Sequence, residues 1–291
     1  MKKKVIIGLC AVLIITLIVI GVIWIIRSRT KEQSEIQAVG YLTYYDQYDP
    51  DLQSSFSSAI ASMDYDFLLY DCNRSSSIAE SNATSAIHSK VKTVWIDYPD
   101  EAVSKNVAAL LTQAGVTPMI VGPKQEDVST LSLDTSKAEK DMTSAVKKAV
   151  PNAYMMVALF AEEKPTWSKT LTADTAKALA TDCHVDPSYV VSSNIQDQQV
   201  LAKDYVIDLL TTSHDRSNVI IVCDSAKVAA GIQEAARELQ KEDAITIVCY
   251  ESSEQLHGDT ATFVLKKDYT NLKSILKNPK SQTIDFQIEK L

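Results

Sequence analysis

Three observations predict an α/β protein made of two doubly wound parallel-sheet lobes preceded by one transmembrane helix. Residues 5–26, VIIGLCAVLIITLIVIGVIWII, carry no charged side chain, and an α-helix needs about 20 consecutive apolar residues to cross a bilayer. From Ala38 onward, short apolar runs alternate with amphipathic stretches of helical spacing. That is the pattern of βα units whose parallel strands are covered by helices on both faces. The units divide between Val150 and Pro151 into two sets, each with its own run of strands and together too many for one comfortable sheet.

Taken in order, MKKK precedes the apolar span and RSRTK follows it. The Lys-rich tail is expected in the cytoplasm, although Arg27, Arg29 and Lys31 blunt the charge asymmetry. The span is long for a signal-peptide core and no small-x-small cleavage site follows it, so residues 1–27 read as a tail and an uncleaved anchor. Only five apolar residues precede Cys10 and Leu9 beside it is bulky, which argues against a lipoprotein cysteine. Residues 28–37 are a polar tether. The first lobe, 38–150, has AVGYLTY, YDFLLYD, KTVWID, TPMIVG and VSTLSL as strands, with helical patterns at 101–113 and 135–149. The second, 151–291, has AYMMVALF, SYVVSS, NVIIVCD, AITIVCY, TATFVLK and TIDFQIEKL, with helical patterns at 196–210 and 226–239. SSFSSAIAS and NRSSSIAES are rich in serine but keep helical apolar spacing.

Composition excludes several functions. A formal charge of -8 argues against a nucleic-acid binder, which needs a basic face to displace counterions. The 7 glycines form no G-x-G-x-x-G, P-loop or G-x-S-x-G, which removes the main support for dinucleotide binding, nucleotide hydrolysis or a nucleophile elbow. Cys10, Cys72, Cys183, Cys223 and Cys249 match no metal motif. Cys223 and Cys249 end consecutive strands, where a disulfide between parallel neighbours would be strained, so buried thiols are expected. His88, His184, His214 and His257 have no ligand spacing. With no cofactor loop, metal cluster or nucleophile paired with a base, an enzyme is not expected.

Within NVIIVCDSAKVAAGIQEAAREL a single carboxylate, Asp224, stands where a buried strand passes to a helix. It reads either as a helix cap or as a ligand group at the carboxyl edge of a parallel sheet, where such folds bind. GYLTYYDQYDPDLQSSFSSAI, DFLLYDCNRSSSIAE, KTVWIDYPDEAV and the stretch from SYVVSSNIQDQQ to CDSAKVAAG follow in an order that resembles the type I periplasmic solute-binding proteins and the ligand domain of related repressors. The resemblance covers most of residues 39–291, by pattern more than by identity. It implies that Tyr44, Tyr45 and Asp46 occupy the first cleft loop, that Asp97 follows the third strand, and that Trp167 and Lys169 lie where the family often has an arginine. It places Asp224 at the carboxylate position of the second lobe.

Two departures stand out. Gly122 and Pro123 replace an Asp-Arg pair frequent in sugar binders, and Leu265 aligns with a polar glutamine. They imply a less hydroxylated ligand or a degenerate cleft. Plainer readings stay open: Tyr44, Tyr45 and Tyr48 as a rim of half-buried rings, Asp97 as a turn residue before Pro99, Trp167 and Lys169 as surface residues. The function implied is a membrane-anchored extracytoplasmic receptor, single-pass with its N-terminus in the cytoplasm. It would close on a small polar ligand, first of all a sugar, without a cofactor, and serve an ABC-type transporter or a membrane sensor kinase. The alternative is an extracytoplasmic interaction module that keeps the fold and has lost the ligand.

Overall fold

A computed structural model describes residues 38–46, 48–63, 65–151, 153, 155–161, 163–180, 184–185, 189–191, 197–212 and 218–291. The expected anchor and tether, residues 1–37, and Cys183 lie outside them. Among the described residues no helix is long and apolar enough to cross a membrane.

The first half runs β1 (Ala38–Thr43), α1 (Pro50–Ala61), β2 (Asp66–Asp71), α2 (Ser76–His88), β3 (Thr93–Asp97), α3 (Glu101–Gln113), β4 (Thr117–Val121) and β5 (Ser129–Leu133). The second runs α4 (Thr135–Ala149), β6 (Met155–Ala161), α5 (Thr166–Leu179), β7 (His184–Val185), β8 (Tyr189–Val191), α6 (Asp197–Thr211), β9 (Val219–Cys223), α7 (Ala226–Glu238), β10 (Ile245–Cys249), β11 (Ala261–Asp268), α8 (Leu272–Lys277) and β12 (Gln282–Lys290). Strands β3, β6, β9 and β10 are buried at every residue, as unbroken apolar runs require when helices cover both faces. Asp49, Asp100 and Asp134 start α1, α3 and α4 by accepting backbone N–H bonds, each satisfying donors that a helix end leaves open.

The strands are ordered β2-β1-β3-β4-β5-β12-β11-β10-β9-β6-β7, with β8 also on β6. Two separate sheets were expected, but β12 belongs to both. Its residues from Gln282 to Ile284 pair parallel with β5, and those from Asp285 to Lys290 pair antiparallel with β11. Four cores flank this ladder, two on each half. Leu42, Val94 and Leu111 lie in one and Phe56, Trp95 and Met119 in another. Met155, Ile221 and Ile247 lie in the third and Met156, Ile220 and Val248 in the fourth. Each half is therefore doubly wound.

The lobe boundary differs from the one expected between residues 150 and 151. Ala138, Met142 and Val146 of α4 pack with Met156, Phe160 and Leu171 of the second half, so the chain crosses before α4. Helical spacing shows that α4 has a buried face but not which sheet that face covers. Conversely, Leu272, Ile275 and Leu276 of α8 return to the first half's core beside Phe56 and Ile284. Among the described residues the chain thus crosses three times, before α4, before α8 and along β12. Cys223 and Cys249 face each other in register as buried free thiols.

Helices α6 and α7 pack closely enough that a Cβ at Gly231 would lie 2.1 Å from the backbone oxygen of Gln199. Gly231→Ala is expected to lower the urea midpoint and destabilise the fold by about 3 kcal/mol, the upper range for overpacking, despite alanine's better helix propensity. An unchanged or higher midpoint would contradict this contact.

Candidate functional site

Parallel strands deliver the residues that follow them to one edge. Asp97 ends β3 and Gly122 follows β4, while Lys164, Asp224 and Glu251 follow β6, β9 and β10. They line one crevice between the halves, of about 740 Å3 counting its open mouth. Tyr48 and Asp49 enter it from the first half, Trp167 from α5, and Lys267 and Tyr269 from the end of β11. Gly122 has φ +153, and a Cβ there would lie 3.9 Å from the indole nitrogen of Trp167.

The carboxylates differ sharply in their partners. Asp49 accepts from Lys267 Nζ at 3.0 Å and from the Leu52 N–H at 3.0 Å. Burial alone would raise its carboxyl, but Lys267 and the helix N–H outweigh burial and hold it below the usual range. Glu251 pairs with Lys164 and accepts the Ala226 N–H at 2.9 Å. That second bond answers the capping question. The first turn of α7 is satisfied by Glu251, and Ser225 at the N-cap makes no side-chain capping bond.

Asp224 instead accepts the Ala161 N–H through Oδ1 at 2.8 Å, which ties β9 to the end of β6. It is only 2% exposed, and its Oδ2 is buried with no hydrogen-bond partner among the described residues. Burial is the main reason its carboxyl is pushed up to about 7, with the Ala161 bond and Lys164 opposing. Asp97 accepts from Tyr41 Oη at 2.7 Å, and burial followed by the charge of Asp49 pushes it up to about 7 as well. An ionised carboxylate with too few donors in a dry site shifts toward its neutral form.

Contacts cross the mouth. Tyr45 Oη donates to Glu163 Oε1 at 3.1 Å, Tyr48 Oη to the Glu163 backbone oxygen at 3.3 Å, and Ser252 Oγ to Asp51 Oδ2 at 2.6 Å. Gln198 also donates to Glu163, and Ser225 Oγ donates to Gln198 Oε1 at 3.2 Å. The two halves are therefore joined at the mouth by hydrogen bonds from tyrosines and a serine.

Of the residues singled out from sequence, Asp97, Trp167 and Asp224 meet in the crevice. Tyr45 is at its mouth. Tyr44 turns toward Tyr98, ring centroids 4.9 Å apart, and packs on the first half's core. Asp46 is exposed and accepts from Gln53 Nε2. Trp167 and Lys169 lie on helix α5 rather than in a loop, and Lys169 is outside the crevice lining. Leu265 is fully buried in the second half's core, and Lys267, on the same strand face, reaches the crevice. Asp49, Lys164, Glu251 and Lys267 were missed. An acidic residue directly before Pro50, and charges directly after the strands ALFA and TIVC, were the available signals.

No family model and no curated protein matches the sequence. Solved structures do match. The Caulobacter myo-inositol binding protein bound to myo-inositol superposes with a TM-score of 0.73 at 14% identity, covering 89% of this chain and 94% of that one. The periplasmic binding protein component of the arabinose ABC transporter from Shewanella sp. ANA-3 gives 0.71 at 13%, covering 87% and 92%. An ABC transporter solute binding protein from Agrobacterium vitis with bound allitol gives 0.70 at 13%, covering 87% and 95%. The chain has the type I periplasmic-binding-protein fold.

The raised carboxyls have a consequence for stability. In the unfolded chain an aspartate ionises near pH 4, whereas folded Asp224 does so at about 7. Between those values the folded state binds more protons, so this group's contribution to stability falls as pH rises from about 4 to about 7. Asp224→Asn should therefore lose less stability than the parent between about pH 4.5 and 8, by on the order of 2 kcal/mol. Equal pH dependence in urea titrations of the two would show that Asp224 ionises like a solvated carboxylate.

Proposed function

We propose that the chain is a membrane-anchored extracytoplasmic receptor that closes its two halves over a small polyhydroxylated solute, a sugar or polyol. The observation that carries this reading is Asp224, which lines the interlobe crevice and whose buried Oδ2 has no donor among the described residues. A ligand hydroxyl would supply that donor, and contacts made by both halves would favour the closed state. Asp97 from the first half and Trp167 beside Gly122 give the same crevice a second acceptor and an aromatic ring, a combination suited to the polar edge and apolar face of a sugar. The matched structures support it, since they are described with inositol, arabinose and allitol. Delivery of the solute to an ABC-type transporter, or a report of occupancy to a membrane sensor, is the output consistent with an anchored receptor.

A second reading, an interaction module with a degenerate cleft, is favoured by one feature. Both lysines of the crevice are already engaged by Asp49 and Glu251. A thermal-melting screen of the full chain against sugars and polyols separates the two, because a ligand well above its Kd raises the midpoint. The receptor reading expects a hit whose affinity falls by about tenfold or more in Asp224→Asn, the loss of a charge-assisted bond. Asn keeps an oxygen for the Ala161 N–H. Unchanged affinity in that variant would remove Asp224 from the site, and a screen with no hit would favour the module.

Topology is tested separately. Protease added outside intact cells should remove the domain from residue 38 onward. A domain that stays intact until the cells are broken would contradict the anchored, outward-facing arrangement.

A further inference from the structure

The crevice has a charge surplus that a neutral sugar leaves unanswered. Among the described residues, Asp49, Asp97, Asp224 and Glu251 line it with only Lys164 and Lys267 as cations. Lys267 is paired with Asp49 and Lys164 with Glu251. Asp97 receives one neutral phenol proton from Tyr41, Asp224 one backbone N–H, and among the described residues neither is in an ion pair. Asp224 lines the crevice, and its Oδ2 is buried with no partner among the described residues.

We infer that the solute carries an ammonium group, as an amino sugar or aminopolyol does, and that this group docks against Asp224 in the crevice that Asp97 also lines. A neutral hydroxyl would supply a donor to Oδ2 but no charge, so each buried carboxylate would still lack a compensating charge in a water-poor site. An ammonium supplies up to three donors together with the charge, and its bond to a carboxylate is stronger than that of a hydroxyl. The burial that pushes both aspartates up to about 7 is the same imbalance seen from the protein's side. Lys164 and Lys169 lower Asp224 only in part. Trp167, which also lines the crevice, offers an aromatic ring for the carbon skeleton.

This inference rests on the receptor reading and is tested with pairs that differ by one group. Sorbitol is titrated against 1-amino-1-deoxysorbitol, and myo-inositol against the monoamino-monodeoxy-inositols, into the full chain by calorimetry at pH 7.5. The amine is expected to bind at least tenfold more tightly than its hydroxyl partner in at least one series. Asp224→Asn should shrink that ratio toward one, because the amine loses more affinity than the hydroxyl compound does. If the hydroxyl compounds bind and the amines bind no better, the ammonium inference is overturned and the receptor stands. If no member of either series binds, the inference and the sugar-or-polyol reading fall together. A preference for the amine that survives Asp224→Asn overturns the assignment of the ammonium to Asp224.

Discussion

Everything about the site follows from the parallel pairing of strands that are buried on both faces. Such strands have no room for charge along their length, so the first polar residue after each one appears at the shared carboxyl edge. In the second half, Leu159 and Cys249 both lie level with Cys223. Asp224, one residue further on, can then reach the Ala161 N–H, and Glu251 can reach the start of α7. In the first half, Thr43 lies level with Asp97, which brings Tyr41 and the loop after β1 to the same edge. Register gathers these charges, and their chemistry follows from what each finds there.

The second constraint is the shared strand. Because β12 pairs with β5 at one end and with β11 along the rest, the halves are linked through backbone hydrogen bonds on one side of the crevice and by side chains at its mouth. Tyr45, Tyr48 and Ser252 make single hydrogen bonds there. Each is worth about 1 kcal/mol net, so this side opens far more readily than the ladder through β12. That asymmetry is what a hinge needs. The Asp49–Lys267 pair lies deeper, with both side chains mostly covered, and breaking a buried pair leaves an uncompensated charge. Tyr45 and Tyr48 at the mouth, by contrast, each donate a single bond to Glu163.

Much of this was legible in the sequence. The α/β class followed from unbroken apolar runs such as VIIVC and TVWID, which are buried throughout, and Asp224 followed from its position one residue after such a run. The ownership of α4 was not legible. Its apolar stripe of Ala138, Met142 and Val146 fits either sheet equally well, and only the path of β12 beside β5 decides. The role of Lys267 was hidden because β11 is long and its buried part ends at Leu265. A lysine beyond an apolar run looks like the solvated end of a strand unless its partner, Asp49, is known from a segment far away in sequence. Tyr44 and Tyr45 show the same limit, since their rings touch each other yet only Tyr45 donates across the mouth to Glu163.

A crystal structure of the chain with its tightest-binding solute tests the central claim most directly. The account predicts a solute nitrogen or oxygen about 2.6–3.2 Å from Asp224 Oδ2, with Trp167 against its carbon skeleton. A solute held elsewhere on the molecule, or held in the crevice with Asp224 Oδ2 still lacking a donor, would contradict it.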